Sequence, residues 1–323
     1  MPSPSGALAT KRPDLAGSFM EFGLELNRLG FIGQQVFPVF ETHKDGGKFG
    51  LIPIEQILKG GETKRAPGAK YPRGDWTFAP ASFQTEEHGW EEPVDDAESR
   101  MYAEYFDAEQ ISAMRARDVV LRNYEKRVSA AVIDTARWTG AALTTAAAAA
   151  WATAASATPL TDVKNAKQKI YDGSGLIANA IIMSYKTWLD LREVAQVVDR
   201  VKSSGLYDPT TKGLNLAAMQ SAFDLPYVLV GGGVFLSSAE GQAAVVGSVW
   251  DKTKVMVCRV ATSNDFREAC IGRTFHWSED GSSIGATVES YRDETVRGDV
   301  IRARMQTDEV VLLTEAGHLI TGA

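Results

Sequence analysis

The sequence predicts an α+β chain in which an α/β module is inserted between one outsized helix and a set of long antiparallel strands. Three observations predict it. Residues 41–92 carry glycines (46, 47, 50, 60, 61, 68, 74) alternating with Pro53, Pro67, Pro72 and Pro80, which leaves room for an extended hairpin but for no helix of useful length. Apolar residues then recur at three, four and seven positions from Asp107 to Trp138. Beyond Phe266 the pattern alternates with period two, as in Ile301, Ala303 and Met305 between Arg302 and Arg304. The chain has 323 residues, 44% hydrophobic and 23% charged, enough for about two domains and a sizeable core. A formal charge of −7 and a pI near 5.3 argue against tight general binding of nucleic acid, which needs a basic face.

Taken in order, residues 1–40 hold scattered apolar groups (Phe19, Phe22, Leu24, Leu26, Leu29, Phe31, Ile32) broken by glycines, the pattern of an extended arm with a short helical turn. The hairpin is expected to run from Val36 to His43, turn at Asp45-Gly46-Gly47, continue from Lys48 to Ile54, carry a basic tip around Lys59–Arg73 and return through Trp76, Phe78 and Phe83. A two-stranded hairpin is marginal in water, so its apolar side chains are expected to bury against something else, another copy of the chain being one candidate. The acidic run Glu86, Glu87, Glu91, Glu92, Asp95, Asp96 and Glu98 reads as a solvated linker; its sign, opposite to the basic tip, would also suit head-to-tail pairing.

Asp107 followed by Gln110 resembles a capping box, and Ile111, Met114, Leu121, Tyr124, Val128 and Val132 are expected inward. A helix from Asp107 to Trp138 would be about 48 Å long, against a radius of gyration of about 20 Å for a compact chain of this size. A flat or elongated molecule is expected. Arg115, Arg117, Arg122, Lys126 and Arg127 read as its solvated face, with ion-pairing to a neighbour as the alternative. The uncharged stretch Trp138–Thr161 is mostly Ala and Thr, too poor in transfer energy for a membrane span, and reads as a small-residue linker. The α/β module follows: a polar helix Thr161–Asp172 stopped by Gly173, a buried strand Ala178–Met183, a helix capped by Ser184 from Tyr185 to about Lys202, a short helix capped by Asn215, and strands Tyr227–Val230 and Lys254–Val260. Ile284, Ala286 and Val288 open the terminal strands.

Familiar catalytic patterns fail on context. Gly281-Ser282-Ser283-Ile284-Gly285 matches G-x-S-x-G but lacks the strand before and the helix after that a nucleophile elbow needs; Asp280-Gly281 reads as a hairpin turn. Gly231-Gly232-Gly233 has no phosphate-loop lysine or helix signal after it and reads as a turn. His43, His88, His276 and His318 are dispersed, and Cys258 and Cys270 carry no CxxC spacing, so no metal site is expected and the two thiols read as small buried residues of a reducing compartment. Met1–Thr10 carries no secretion signal. No catalytic, cofactor-binding or metal residue is assigned, and no enzyme is expected.

The order of these elements, together with local sequence, resembles the major capsid proteins of tailed bacteriophages from about residue 20 to the C-terminus. The resemblance is carried by the tip Thr63-Lys64-Arg65-Ala66-Pro67-Gly68, the helix Asp107–Trp138, Ala178-Asn179-Ala180-Ile181-Ile182-Met183 leading to Trp188, Leu225-Pro226-Tyr227-Val228-Leu229-Val230, Val249-Trp250-Asp251-Lys252, the tail Asp299-Val300-Ile301-Arg302-Ala303-Arg304, and Ala316-Gly317-His318-Leu319-Ile320. It implies an N-terminal arm (1–40), an extended loop (41–92), a peripheral domain with a spine helix and linker (93–159), an axial domain (160–262) and C-terminal strands returning to the peripheral domain (263–323). The implied function is self-assembly into hexamers and pentamers of an icosahedral shell around double-stranded DNA that is not specifically bound. Implied partners are the chain itself and, beyond it, scaffold, portal, maturation protease and decoration proteins, with no membrane; the implied place is the virion, assembled in the host cytoplasm. Some relatives carry a scaffold-like region ahead of the arm, and here it is expected to be cut away or replaced by a separate scaffold. Lys59, Lys64 and Lys70 lie where some relatives cross-link the loop, but no pairing motif is found. The alternative with the same fold is an encapsulin-like nanocompartment; the alternative of another class is a serine hydrolase using Ser283.

Overall fold

The structure, a computed structural model, describes residues 10–11, 30–61, 63–75, 77–102, 107–203 and 216–323. Most of the expected arm, Trp76 and the Asn215 cap lie outside them. β1 (Thr10–Lys11) is followed, from Gly30, by the four-residue α1 (Gly33–Val36) and by β2 (Val39–Thr42). The hairpin proper is β3 (Gly46–Leu51) and β4 (Ala79–Gln84), paired from Gly46↔Gln84 to Leu51↔Ala79. β2 is therefore not a hairpin arm, as expected, but pairs in parallel with a strand 235 residues away, Val39 lying opposite Thr274. Between β3 and β4 the chain makes one short helix, α2 (Ile54–Leu58), where none was expected; Pro53 ahead of it supplies a helix-compatible start.

The acidic run is a strand, not a solvated linker. β5 (Glu86–Asp95) is ten residues long, and its carboxylates meet arginines of this chain: Glu87 and Arg304 at 3.7 Å, Glu91 and Arg302 at 3.8 Å, Glu92 and Arg115 at 3.6 Å. Charge on both faces concealed the alternation from which a strand is read. After α3 (Asp96–Tyr102), α4 (Ala108–Ile133) is the long helix, about 39 Å over its 26 residues. Asp107 caps it as expected, accepting from the N–H groups of Glu109 and Gln110. The helix stops at Ile133, short of Trp138. Asp134 then turns the chain, its carbonyl accepting from the N–H of Trp138 at 3.2 Å, and the indole enters the core.

The buried stripe of α4 runs through Ala113, Ala116, Val120, Tyr124, Val128 and Val132. Ile111, Met114 and Leu121, expected inward, are only half-buried; the two alanines let the helix lie close to the sheet. The basic residues are not a free solvated face either. Arg117 donates to the Gly285 carbonyl at 2.6 Å, Arg127 pairs with Glu309 at 2.7 Å, Arg122 pairs with Asp118, and the Lys126 ammonium sits 4.0 Å from the Phe235 ring centre.

The small-residue segment contributes β6 (Thr144–Ala146), and its Trp151 is fully buried. No helix is long and apolar enough to cross a membrane among the described residues. α5 (Pro159–Ser174) ends on Gly175, in the left-handed region at φ 70°, rather than on Gly173. β7 (Ala180–Ser184) is buried throughout, and the Ser184 hydroxyl caps α6 (Tyr185–Leu191) by accepting from the Thr187 N–H. The single helix expected there is two, α6 and α7 (Ala195–Ser203). There follow α8 (Leu216–Phe223), β8 (Tyr227–Gly231), a small hairpin of β9 (Val234–Leu236) and β10 (Val246–Ser248), then β11 (Lys254–Cys258), β12 (Gly272–Trp277), β13 (Thr287–Asp293), β14 (Gly298–Val311) and β15 (Gly317–Thr321). Residues 284–286 belong to the turn before β13, with Ala286 at φ 62°, rather than to the strand.

Two sheets result. One runs β1-β13-β14-β12-β2, with β5 also on β14; the other runs β6-β15-β11-β7-β8. The last strand thus departs from the expected return: β15 inserts between β6 and β11 of the second sheet, because its run His318-Leu319-Ile320 is fully buried and needs a covered position. α4 packs on the first sheet, and one core joins it to both sheets through Val128, Trp138, Trp250, Met256, Met305 and Leu319. Cys258 and Cys270 are buried free thiols, and burial pushes both thiol pKa values up.

Candidate assembly surfaces

The hairpin is held at one end and bare at the other. At its root, Phe49 of β3 and Phe83 of β4 join Phe40, Phe266 and Phe275 in one aromatic cluster. Phe83 stacks on Phe275 at 4.5 Å and 7°, and Phe49 meets Phe266 edge-on at 5.2 Å. The N–H and hydroxyl of Thr85 both donate to the Asp45 carbonyl at 2.8 Å, and the Gln84 N–H donates to Asp308 at 2.9 Å. The hairpin's apolar groups at the root thus bury against something beyond the hairpin, as expected, and for Phe83 and Phe49 that something is their own chain rather than another copy. Farther out, Ile57, Leu58, Tyr71 and Phe78 are 58–69% exposed, on a segment whose Lys59, Lys64, Arg65, Lys70 and Arg73 are exposed as well. This tip has local order: the Ala69 N–H bonds the Ala66 carbonyl at 3.1 Å, Gly68 takes φ 81°, and Arg65 donates to the Ala69 carbonyl at 2.6 Å while lying 4.6 Å from the Tyr71 ring centre.

A second apolar surface is the β9–β10 hairpin. Phe235 faces inward under Lys126, while Val234, Leu236 and Val246, on its other face, are more than half exposed. Near the start of β8, a cavity of about 560 Å³ opens between Gly30, Ile32, Tyr185, Trp188 and Val230.

What carries these surfaces is a buried junction that sequence reasoning missed. Glu125, on the inward side of α4, is 1% exposed. It accepts from the N–H groups of Ile32 at 3.0 Å and Gly33 at 2.7 Å, and from the Trp250 indole at 2.7 Å. One carboxylate thereby supplies the acceptor that α1 lacks at its own N-terminus and ties it to α4 and to the segment before β11. Burial pushes its pKa up, and the three donors oppose that shift. A Cβ at Gly33 would meet the carboxylate at 2.7 Å and the Tyr124 ring at 2.9 Å, so any larger residue there would have to push the junction apart. The available signal was a lone acid inside an apolar stripe, between Tyr124 and Val128.

The other sequence motifs resolve into structure. Among the described residues the Ser283 hydroxyl bonds Thr287 Oγ1, at 3.2 Å, and the histidine of the neighbourhood, His276, places its Nε2 3.2 Å from the Ser282 hydroxyl instead, while its Nδ1 has no hydrogen-bond partner there. Among the described residues no nucleophile–base pair forms at Ser283, and the turn is marked by Gly281 at φ 73°. Gly231 lets Trp250 approach, since a Cβ there would stand 2.1 Å from the indole, and Gly232 bonds back to the Gly30 carbonyl. His43 pairs with Glu279, and His318 bonds the Ala142 carbonyl and Thr145. Among the described residues no group of three or more His, Cys, Asp or Glu could hold a metal ion.

No family model matches the chain. It is 23% identical over 302 residues, 90% of its length and 91% of the relative's, to the major capsid protein of Burkholderia phage BcepMu. Among solved structures it matches a phage-related protein of Bordetella bronchiseptica RB50 with TM-score 0.70 at 20% identity, covering 98% of both chains. The capsid of cyanophage P-SCSP1u follows at TM-score 0.60 and 12% identity over 88% of this chain and 86% of that one. The SrpI encapsulin of Synechococcus elongatus gives 0.53 and 10% over 90% and 86%. The fold is one that phage capsid and encapsulin structures share. Within that class the chain has the fold of the tailed-phage major capsid proteins, which the sequence resemblance had indicated.

Proposed function

We propose that this chain is the major capsid subunit of a tailed phage or prophage, self-assembling into hexamers and pentamers of an icosahedral shell that encloses double-stranded DNA in the virion. The observation that carries the proposal is the hairpin: fixed at its root by the chain's own aromatic cluster, it holds Ile57, Leu58, Tyr71 and Phe78 exposed, without cover among the described residues. Large apolar side chains held out in this way belong to interfaces. On this reading the hairpin within 41–92 is the intersubunit loop, 160–262 is the part meeting its counterparts at the capsomer centre, and α4 with the six-stranded sheet forms the peripheral part. An acidic chain suits a container whose contents must not adhere. Scaffold, portal, maturation protease and decoration proteins are the further partners, and assembly takes place in the host cytoplasm.

The test is expression of the full chain with and without its genomic neighbours, followed by size exclusion and negative-stain microscopy. Shells, or rings of five or six, are expected; a stable monomer or dimer under every condition, scaffold co-expression included, refutes the proposal. The likeness to an encapsulin keeps the nanocompartment as a second reading. Particles that retain nuclease-protected double-stranded DNA support the capsid, and particles that retain a cargo enzyme support the compartment.

A further inference from the structure

We propose that His276 is an acid-sensitive catch beneath the hairpin root: neutral, it stays seated in the sheet between β2 and β14, and protonated it leaves that seat and loosens the β2–β12 pairing. The inference goes beyond the shell-subunit reading and stands without it. His276 lies in β12, opposite Thr307 of β14 on one side and Glu41 of β2 on the other. The residue before it, Phe275, carries the ring on which Phe83 of the hairpin stacks. A shift of β12 at this point therefore reaches the root.

The imidazole is 2% exposed, and its two nitrogens are served unequally. Nε2 lies 3.2 Å from the Ser282 hydroxyl, which lies 3.5 Å from the Trp277 carbonyl. That order of groups suits a neutral ring with its proton on Nε2, donating to Ser282 while the hydroxyl points onward. Nδ1 has no partner among the described residues. A bare lone pair costs little there, but an added proton would turn Nδ1 into a buried donor without an acceptor, on a buried cation. The acids around the ring are poorly placed to help. Asp280 of the following turn is engaged by Arg304 at 2.6 Å, Glu309 of β14 by Arg127 of α4 at 2.7 Å, and Glu41 of β2 is exposed. Glu41 and Asp280 favour the charged ring, yet burial outweighs them and holds the His276 pKa below its ordinary value. The seated ring thus binds a proton less tightly than a released one, so the seat is firm above the ordinary histidine range and weakens as pH falls through about 6.5. His43, just beyond β2 and 2.7 Å from Glu279, gains from the same proton and works against release.

The test follows amide hydrogen exchange of the full chain, in the state of assembly in which it purifies, at about pH 7.5 and about pH 5.5, with rates corrected for the intrinsic effect of pH. Opening of the β2, β12 and hairpin-root peptides is expected to rise about tenfold on acidification, while β7 of the second sheet stays as it was. His276→Gln, neutral at every pH and able to keep a bond to Ser282, is expected to abolish the rise. His88 and His318 also have pKa values held down by burial, and His88→Gln, His318→Gln and His43→Gln are expected to keep it. Glu41→Gln leaves the seat intact and decides the matter should His276→Gln misfold: with one acid fewer favouring the charged ring, the rise is expected to extend to lower pH. No rise at the root of the native chain, a folded His276→Gln chain with the native response, a response lost in His88→Gln, or a Glu41→Gln chain that responds as the native one does would overturn the catch. None of these outcomes bears on whether the chain builds shells, so the shell-subunit reading stands or falls apart from them.

Discussion

At its root the hairpin 46–84 is locked by five phenylalanine rings and by bonds from Thr85 to Asp45 and from Gln84 to Asp308, whereas at its far end Ile57, Leu58, Tyr71 and Phe78 stand in solvent among cations. Both ends are apolar by composition, so apolar content alone does not decide which end belongs to the chain's own core. The difference lies in what each end can reach. The root lies beside β2, β12 and the Phe266 loop, all placed by the six-stranded sheet, and the tip's large apolar groups are exposed among the described residues. The root serves the stability of one copy, and on the proposed function the tip serves association.

The contrast can be broken at several points. The largest effect is expected where α1, just ahead of the root, is tied down: Glu125→Ala leaves the N–H groups of Ile32, Gly33 and Trp250 buried without an acceptor and should cost about 3–5 kcal/mol. Urea denaturation of the unassembled chain measures this, and Glu125→Gln, which keeps an acceptor oxygen, should cost less. Next, Phe83→Ala removes the ring stacked on Phe275. Because Phe83 is only half-buried, about 2–3 kcal/mol is expected, below the full cost of a core phenylalanine, with faster proteolytic cutting of the hairpin as the visible sign.

A smaller effect concerns the loop that presents Phe266. Burial pushes the Glu268 pKa up, but hydrogen bonds from Ser263 and Thr262 outweigh it and hold the pKa down at about 2. A folded-state pKa below the unfolded one gives stability that is full above the ordinary glutamate range and is lost as pH falls through about 2. Glu268→Gln should therefore flatten the acid limb of the stability–pH curve, an effect of order 1 kcal/mol after solvent screening, read by thermal melts between neutral and acid pH. The smallest effect on stability is expected at the tip. Ile57→Ser with Leu58→Ser should change the unfolding free energy of the unassembled chain by less than about 0.5 kcal/mol, yet reduce the assembled fraction seen by size exclusion. Equal losses of stability at root and tip would dissolve the distinction between them.

Much of the candidate surface was legible before the structure. The glycine and proline spacing of 41–92 announced a hairpin, and the basic tip was visible as charge. Glu125 was not, because a carboxylate among apolar residues gains meaning only when three donors from distant segments converge on it. β5 was misread because its partners Arg302 and Arg304 are more than two hundred residues away, and without them its glutamates look like a solvated run.

What the sequence determined by itself is local. The Asp107 cap, the Ser184 cap, the long helix, the buried run Ala180–Ser184 and the β3–β4 hairpin rest on hydrogen bonds and periodicities that close within a few turns of chain or across one loop. Only the tertiary structure decided that β2 lies parallel to β12, that β15 enters the second sheet, and which half of the hairpin is covered. Those outcomes depend on long-range pairing, where a strand's place is set by the edge free to receive it and by the burial of both faces there, and neither is written in the strand alone.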